Sequence, residues 1–140
     1  MRGTIPGVER TYATPHLDKL GVKYGARVAI VGVGDPEFRG MLVERTHDVT
    51  DGQPAPDTEL VFLAADSTGE LDVLPALRER IRPNGAIWVV SRKGRDATLR
   101  DVEVIAAAKA AGLVDNKVVS FSPTHTSLRL VIPVALRPRA

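Results

Sequence analysis

Apolar residues follow two rhythms along the chain. Short unbroken runs, Val28-Ala29-Ile30-Val31, Leu60-Val61-Phe62-Leu63 and Ile87-Trp88-Val89-Val90, read as strands buried on both faces, as in a central parallel sheet. Between them the spacing becomes helical: Phe38, Met41, Leu42 and Arg45, then Leu71, Leu74, Leu77 and Ile81, then Leu99, Val102, Ala106, Ala110 and Leu113. The pattern predicts strands over residues 27–33, 59–65, 86–91, 116–121 and 128–134, with at most one short strand near residues 47–50.

Helix starts are written in cap chemistry. Thr14-Pro15 predicts a short helix carrying Leu17 and Leu20 and ended by Gly21. Asp35-Pro36-Glu37 gives an acidic cap, a proline at the first helical position and an acid in the first turn. Ser67 to Glu70 matches a capping box, and Pro75 places the regular helix near Asp72 or kinks it. Thr98 to Asp101 predicts the last helix start, Gly112 its end, and Pro83-Asn84-Gly85 a turn.

The element order β-α-(β)-β-α-β-α-β-β predicts an α/β, Rossmann-like domain. Its sheet would be mostly parallel, with helices on both faces and a C-terminal antiparallel β-hairpin joined through residues 122–127. The domain is expected over residues 14–136, after a flexible N-terminal arm over 1–13 and before a basic tail over 137–140. With 140 residues the chain can bury one core without staples. It has no cysteine, which removes disulfides and thiolate metal sites. No apolar run reaches ~18 residues and no signal-like stretch opens the chain, so the reading is no membrane and a cytoplasmic protein. Nineteen basic residues face seventeen acidic ones, and no global field demands nucleic acid.

Candidate chemistry lies where the strands end. Gly32 and Gly34 fit the first two positions of a nucleotide-type glycine turn, but Pro36 and Glu37 break the continuation. Asp35 and Glu37 add negative charge at the helix start, which suits an uncharged adenosine or a cationic sulfonium better than a pyrophosphate. Asp48 or Asp51 could serve as a ribose-binding acid, Asp51 lying about 17 residues past Gly34. If the strands run parallel, their trailing loops share one edge, the usual ligand side of such sheets. Those loops carry Asp35, Asp66, Ser67, Ser91, Arg92, Lys93, Arg95, Thr124 and His125. Arg92-Lys93-Gly94-Arg95 is the densest basic cluster, able to hold an anion or a nucleic-acid phosphate. His125 beside Thr124, Thr126 and Ser127 lacks triad spacing and reads as an exposed hairpin-tip residue. Three histidines without paired spacing give no metal site, and Trp88 reads as core.

Leu20-Gly21-Val22-Lys23-Tyr24-Gly25-Ala26-Arg27-Val28 and Ile81-Arg82-Pro83-Asn84-Gly85-Ala86-Ile87-Trp88 are similar to the first-strand lead-in and the helix–"Pro-Gly-Gly"–strand passage of S-adenosylmethionine-dependent methyltransferases. Together with Ala111-Gly112-Leu113-Val114-Asp115-Asn116-Lys117-Val118, they more closely resemble a bacterial family of uncharacterised methyltransferase-like domains of unknown function, from about Leu17 to Arg129. The chain has His125-Thr126 where that family often carries a Trp-Ser step. The resemblance implies a methyltransferase-like fold, truncated after the first βα unit because residues 51–58 are too few for a parallel crossover helix. It also implies S-adenosylmethionine as a possible cofactor; the candidate cofactor-binding residues are Gly32, Gly34, Asp35, Asp51, Asp66 and Ser67, and the basic cluster gives Arg92, Lys93 and Arg95 as a candidate anion-binding set. No catalytic residue is assigned. Three functions compete: a non-catalytic domain binding a small molecule or protein partner, a small methyltransferase, and a nucleic-acid-associated module using the Arg92–Arg95 loop.

Overall fold

The computed structural model describes residues 15–137; the expected arm over 1–13, the Thr14 cap and residues 138–140 of the expected tail lie outside them. The strands are β1 (Val28–Val31), β2 (Val49–Asp51), β3 (Thr58–Ala64), β4 (Ile81–Arg92), β5 (Val114–Ser120) and β6 (His125–Val131). The helices are α1 (residues 15–19), α2 (Pro36–Val43), α3 (Leu74–Arg78) and α4 (Asp101–Ala110). They build a six-stranded sheet in the order β2-β1-β3-β4-β6-β5. β2, β1, β3 and β4 are parallel, and β6 runs antiparallel between β4 and β5. This is the mostly parallel sheet with a terminal hairpin that the element order predicts.

Strand alternation divides the core between two faces. Val28, Ile30, Leu60, Phe62, Ala86, Trp88 and Val90 point to one side and pack with Leu17 and Leu20 of the N-terminal helical turn and with Phe38 and Leu42 of α2. Ala29, Val61, Leu63, Ile87 and Val89 point to the other and pack with Leu74 and Leu77 of α3 and Val104 and Ala108 of α4. Each fully buried large apolar side chain contributes about 1.5–3 kcal/mol. Phe38 fixes the start of α2 by edge contact with Phe62, ring centroids 4.9 Å apart, and a tilted contact with Phe121 at 4.7 Å. Trp88 is core, its Nε1–H donating to Leu20 O at 3.0 Å. Arg45 follows α2 and is buried. Its Nη1 donates to Val22 O at 2.7 Å and Asp18 Oδ1 at 3.0 Å, and its guanidinium lies over the Tyr24 ring.

The structure changes three local readings. Pro83-Asn84-Gly85 is not a free turn but lies within β4 as a bulge: Thr58 pairs with Ile81 and Leu60 already with Ala86, so residues 82–85 bow out opposite Glu59. Proline is tolerated there because the ladder is interrupted. Only half of the Ser67–Glu70 capping box forms: Ser67 Oγ accepts the Glu70 N–H, but the Glu70 carboxylate takes the Asp66 N–H and the Ser67 hydroxyl. A 3-10 turn over Gly69–Val73 follows, and regular helix starts only at Leu74 with Pro75 in its first turn. At α4 the cap is Arg100, whose N–H donates to Glu103 Oε1 at 2.9 Å; Thr98 donates instead to Asp66 O. Strand bounds shift by up to five residues, most at β4, which begins at Ile81, and by three at β6, which begins at His125.

Candidate functional site

Parallel β1, β3 and β4 end on one edge of the sheet, and antiparallel β6 begins there, with His125 paired to Arg92. A cleft of about 380 Å³ opens on this rim. Its walls include the turn Gly32–Pro36, Ala64, Asp66, Val90, Arg92, Phe121, Thr124 and His125. Gly32, Gly34, Asp35, Asp66 and Arg92 of the predicted set therefore meet in one place. Asp51, Ser67, Lys93 and Arg95 do not line this cleft.

Each member is positioned by its element. Gly32 leaves β1 with φ +81°, a conformation that suits glycine. Gly34 needs no such freedom: its φ is not in that region and a Cβ there would meet no atom within 4 Å. Asp35 is the N-cap of α2, its Oδ1 accepting the backbone N–H of Glu37 at 3.0 Å and of Phe38 at 3.1 Å. The donors that a helix start would offer to a phosphate are thus engaged by a side chain of the protein itself.

Asp66, just past β3, ties three segments together. Its Oδ1 accepts the Arg92 backbone N–H at 2.9 Å, its N–H donates to Glu70 Oε1 at 2.8 Å, and its carbonyl accepts from Thr98 Oγ1 at 2.6 Å. Ser67 is spent on Glu70, to which its hydroxyl donates at 3.2 Å. Asp51 ends β2 beside β1 and is paired with Arg39 of α2, while Asp48 accepts from Arg27 Nε at 3.0 Å. Both ribose-acid candidates therefore have arginine partners on the exposed surface.

The basic cluster is dispersed where the chain leaves β4 and turns. Arg92 lines the cleft, whereas the Lys93 Nζ donates to Ser120 Oγ at 2.8 Å and Arg95 sits in the exposed 3-10 turn Gly94–Asp96. His125, expected to be an exposed tip residue, is half-buried and belongs to the cleft wall. Its expected place on the rim holds, since an antiparallel partner to β4 begins where β4 ends. Away from the rim, Arg129 on β6 is held below the usual arginine value by burial and then by Arg137.

Among the described residues no group of three or more potential metal-ligating His, Asp or Glu side chains gathers, and no helix is long and apolar enough to cross a membrane. The arrangement offers a small cleft with an apolar floor at Ala64 and Val90, acids at Asp35 and Asp66, and hydrogen-bond donors at Arg92 and His125.

A search of curated proteins finds no match. Solved structures of similar fold include the CcbJ methyltransferase from Streptomyces caelestis, 11% identical over 88% of this chain and 95% of that one, with a TM-score of 0.61. A SAM-dependent methyltransferase from Aquifex aeolicus is 17% identical over 86% of this chain and 89% of that one, TM-score 0.56. Mitomycin 7-O-methyltransferase MmcR is 10% identical over 89% of this chain, TM-score 0.60. The chain spans only about half the length of MmcR and of the pyocyanin biosynthetic protein PhzM, 54% and 53% respectively. At such identities the likeness is one of fold, a Rossmann-like methyltransferase architecture. Residues 19–134 match the family described as protein of unknown function (DUF3052), and the chain belongs to that family.

Proposed function

We propose that this chain is a methyltransferase-like domain that binds a small ligand or a protein partner at its rim and does not itself transfer methyl groups. The observation that carries this reading is the engagement of the rim acids. Asp35 caps α2, Asp51 pairs with Arg39, and Asp66 holds the Arg92 N–H. A cofactor seeking these carboxylates would have to displace bonds within the protein. The link from β2 to β3, residues 52–57, adds to this reading, because six residues leave no room for a further helical unit beside β2. The fold is thus read as a truncated methyltransferase framework with part of an adenosine pocket missing.

Calorimetry with S-adenosylmethionine and S-adenosylhomocysteine, paired with a methyl-transfer assay, tests the proposal. No heat at millimolar ligand and no transfer are expected. Transfer to any acceptor that disappears with Gly32→Val would overturn it.

A second reading, a small S-adenosylmethionine-dependent methyltransferase, is favoured by one observation. Gly32 opens β1 onto the cleft while Asp51 ends the adjacent β2, and an acidic helix start tolerates a sulfonium. It predicts micromolar cofactor binding in the same calorimetry. The nucleic-acid reading gains less, since Lys93 bonds Ser120 and Arg92 turns to the cleft.

A further inference from the structure

We propose that the Arg92–His125 wall of the cleft recognises the carboxylate of a small organic acid whose apolar body rests on Ala64 and Val90. This deepens, and rests on, the reading of the rim as a ligand site.

Arg92 and His125 are directly opposed across the β4–β6 ladder, so their side chains leave the same face of the sheet, and both line the cleft. The Arg92 side chain is 57% exposed, and its Nε is 3.7 Å from Asp66 Oδ2, beyond good hydrogen-bond distance. Asp66 Oδ1 is occupied by the Arg92 backbone instead. The guanidinium thus keeps donors to offer.

A relay of hydroxyls reaches the His125 ring. Ser122 Oγ accepts the N–H of His125 at 3.1 Å and of Thr124 at 3.3 Å. Its own hydrogen is then free for Thr124 Oγ1, 3.3 Å away. Thr124 Oγ1 in turn lies 2.8 Å from His125 Nδ1, and in the proposed site it gives this nitrogen a hydrogen. Nδ1 becomes an acceptor, so the proton of a neutral ring sits on Nε2. Among the described residues no hydrogen bond engages Nε2. Arg92 and His125 together present donors without acceptors, which is complementary to an anion.

The charge of that anion is limited by two acids of the same cleft. Asp35 and Asp66 line the same cleft, and the α2 start has its N–H groups capped. A doubly charged phosphate would meet two carboxylates and no helix donors, whereas a singly charged carboxylate can lie against the arginine in bidentate fashion. The floor of Ala64 and Val90 asks for an apolar body rather than a sugar.

The test is a titration of the full chain followed by NMR, with benzoate, benzyl alcohol and inorganic phosphate as probes. Benzoate should shift Gly32, Ala64 and Arg92 signals saturably, with benzyl alcohol and phosphate at least tenfold weaker. Arg92→Gln and His125→Phe should each weaken benzoate by about tenfold or more. Thr124→Val should move the His125 ring nitrogen signals toward a tautomer mixture, and Lys93→Gln should change nothing. Phosphate binding as tightly as benzoate, or an Arg92→Gln variant that binds benzoate unchanged, overturns the carboxylate assignment while leaving the rim reading intact. No shift at any cleft residue with any of the three probes overturns the assignment. The rim reading itself falls only if a wider screen of nucleosides, S-adenosyl compounds and protein partners also leaves the cleft signals unmoved.

Discussion

Asp66 and Arg92 are joined through backbone and side chain alike: Oδ1 accepts the Arg92 N–H at 2.9 Å while the guanidinium hovers 3.7 Å from Oδ2. This pairing locks the end of β3 to the end of β4 and so fixes one wall of the cleft. Asp66→Ala should cost about 1 kcal/mol, a figure discounted for the one-third exposure of the carboxylate, and lower the melting temperature by roughly 2–4 °C. Asp66→Asn keeps an acceptor and should lose less. Thermal melts of the two variants against the parent check both.

The glycines separate by substitution. At Gly85 an added Cβ would lie 2.8 Å from Glu59 O and 3.2 Å from Thr58 O, both backbone atoms of β3 facing the β4 bulge. Gly85→Ala should therefore destabilise by about 2 kcal/mol or more. Gly32→Ala has room, its new Cβ 3.5 Å from Ala64 Cβ, but must hold φ +81°, at a cost of about 1–2 kcal/mol. Gly34→Ala meets neither obstacle and should be close to neutral. Denaturant unfolding of the three variants should rank them in that order.

At the start of α2, Asp35→Ala should cost about 1 kcal/mol by exposing two donors that have lost their partner. Asp35→Ser keeps a cap without the charge and should stay within a few tenths of the parent. If the cap is what turns phosphate away, Asp35→Ala should also bind inorganic phosphate more tightly than the parent does. Equal binding would separate capping from exclusion.

Two arginines offer a contrast of burial. Arg45 has a side chain only 5% exposed and serves Val22 O and Asp18, so Arg45→Ala should cost about 2–3 kcal/mol, little changed by added salt. Arg39, paired with Asp51 at the surface, should lose under about 1 kcal/mol on the same change, and less in high salt. Urea melts at low and high ionic strength read both.

The strand core was legible because three apolar runs needed burial on both faces, and only a central parallel sheet supplies that. Asp35-Pro36 announced α2 for the same local reason that the cap forms. The Pro83–Gly85 segment misled because turn chemistry and bulge chemistry use the same residues; what distinguishes them is the partner strand, here Glu59, which is remote in sequence. The rim was half legible. Gly32, Asp35, Asp66, Arg92 and His125 follow from strand ends, but the half-burial of His125 does not, since it depends on Arg92, a cross-strand partner remote in sequence. Lys93 and Arg95 looked like companions of Arg92, but β4 ends at Arg92 and the chain then turns through Gly94–Asp96, away from the cleft lining.

Asp35 has a consequence for selectivity. Wherever nucleotides abound, a glycine turn with an open helix start would be occupied for most of the time by whichever phosphate compound was most plentiful. A carboxylate that already closes that helix acts as a standing competitor that never dissociates. On this view the cleft beside Gly32 stays available to scarcer, less charged molecules, and the acid that seems to spoil a nucleotide motif is what keeps the commonest metabolites out.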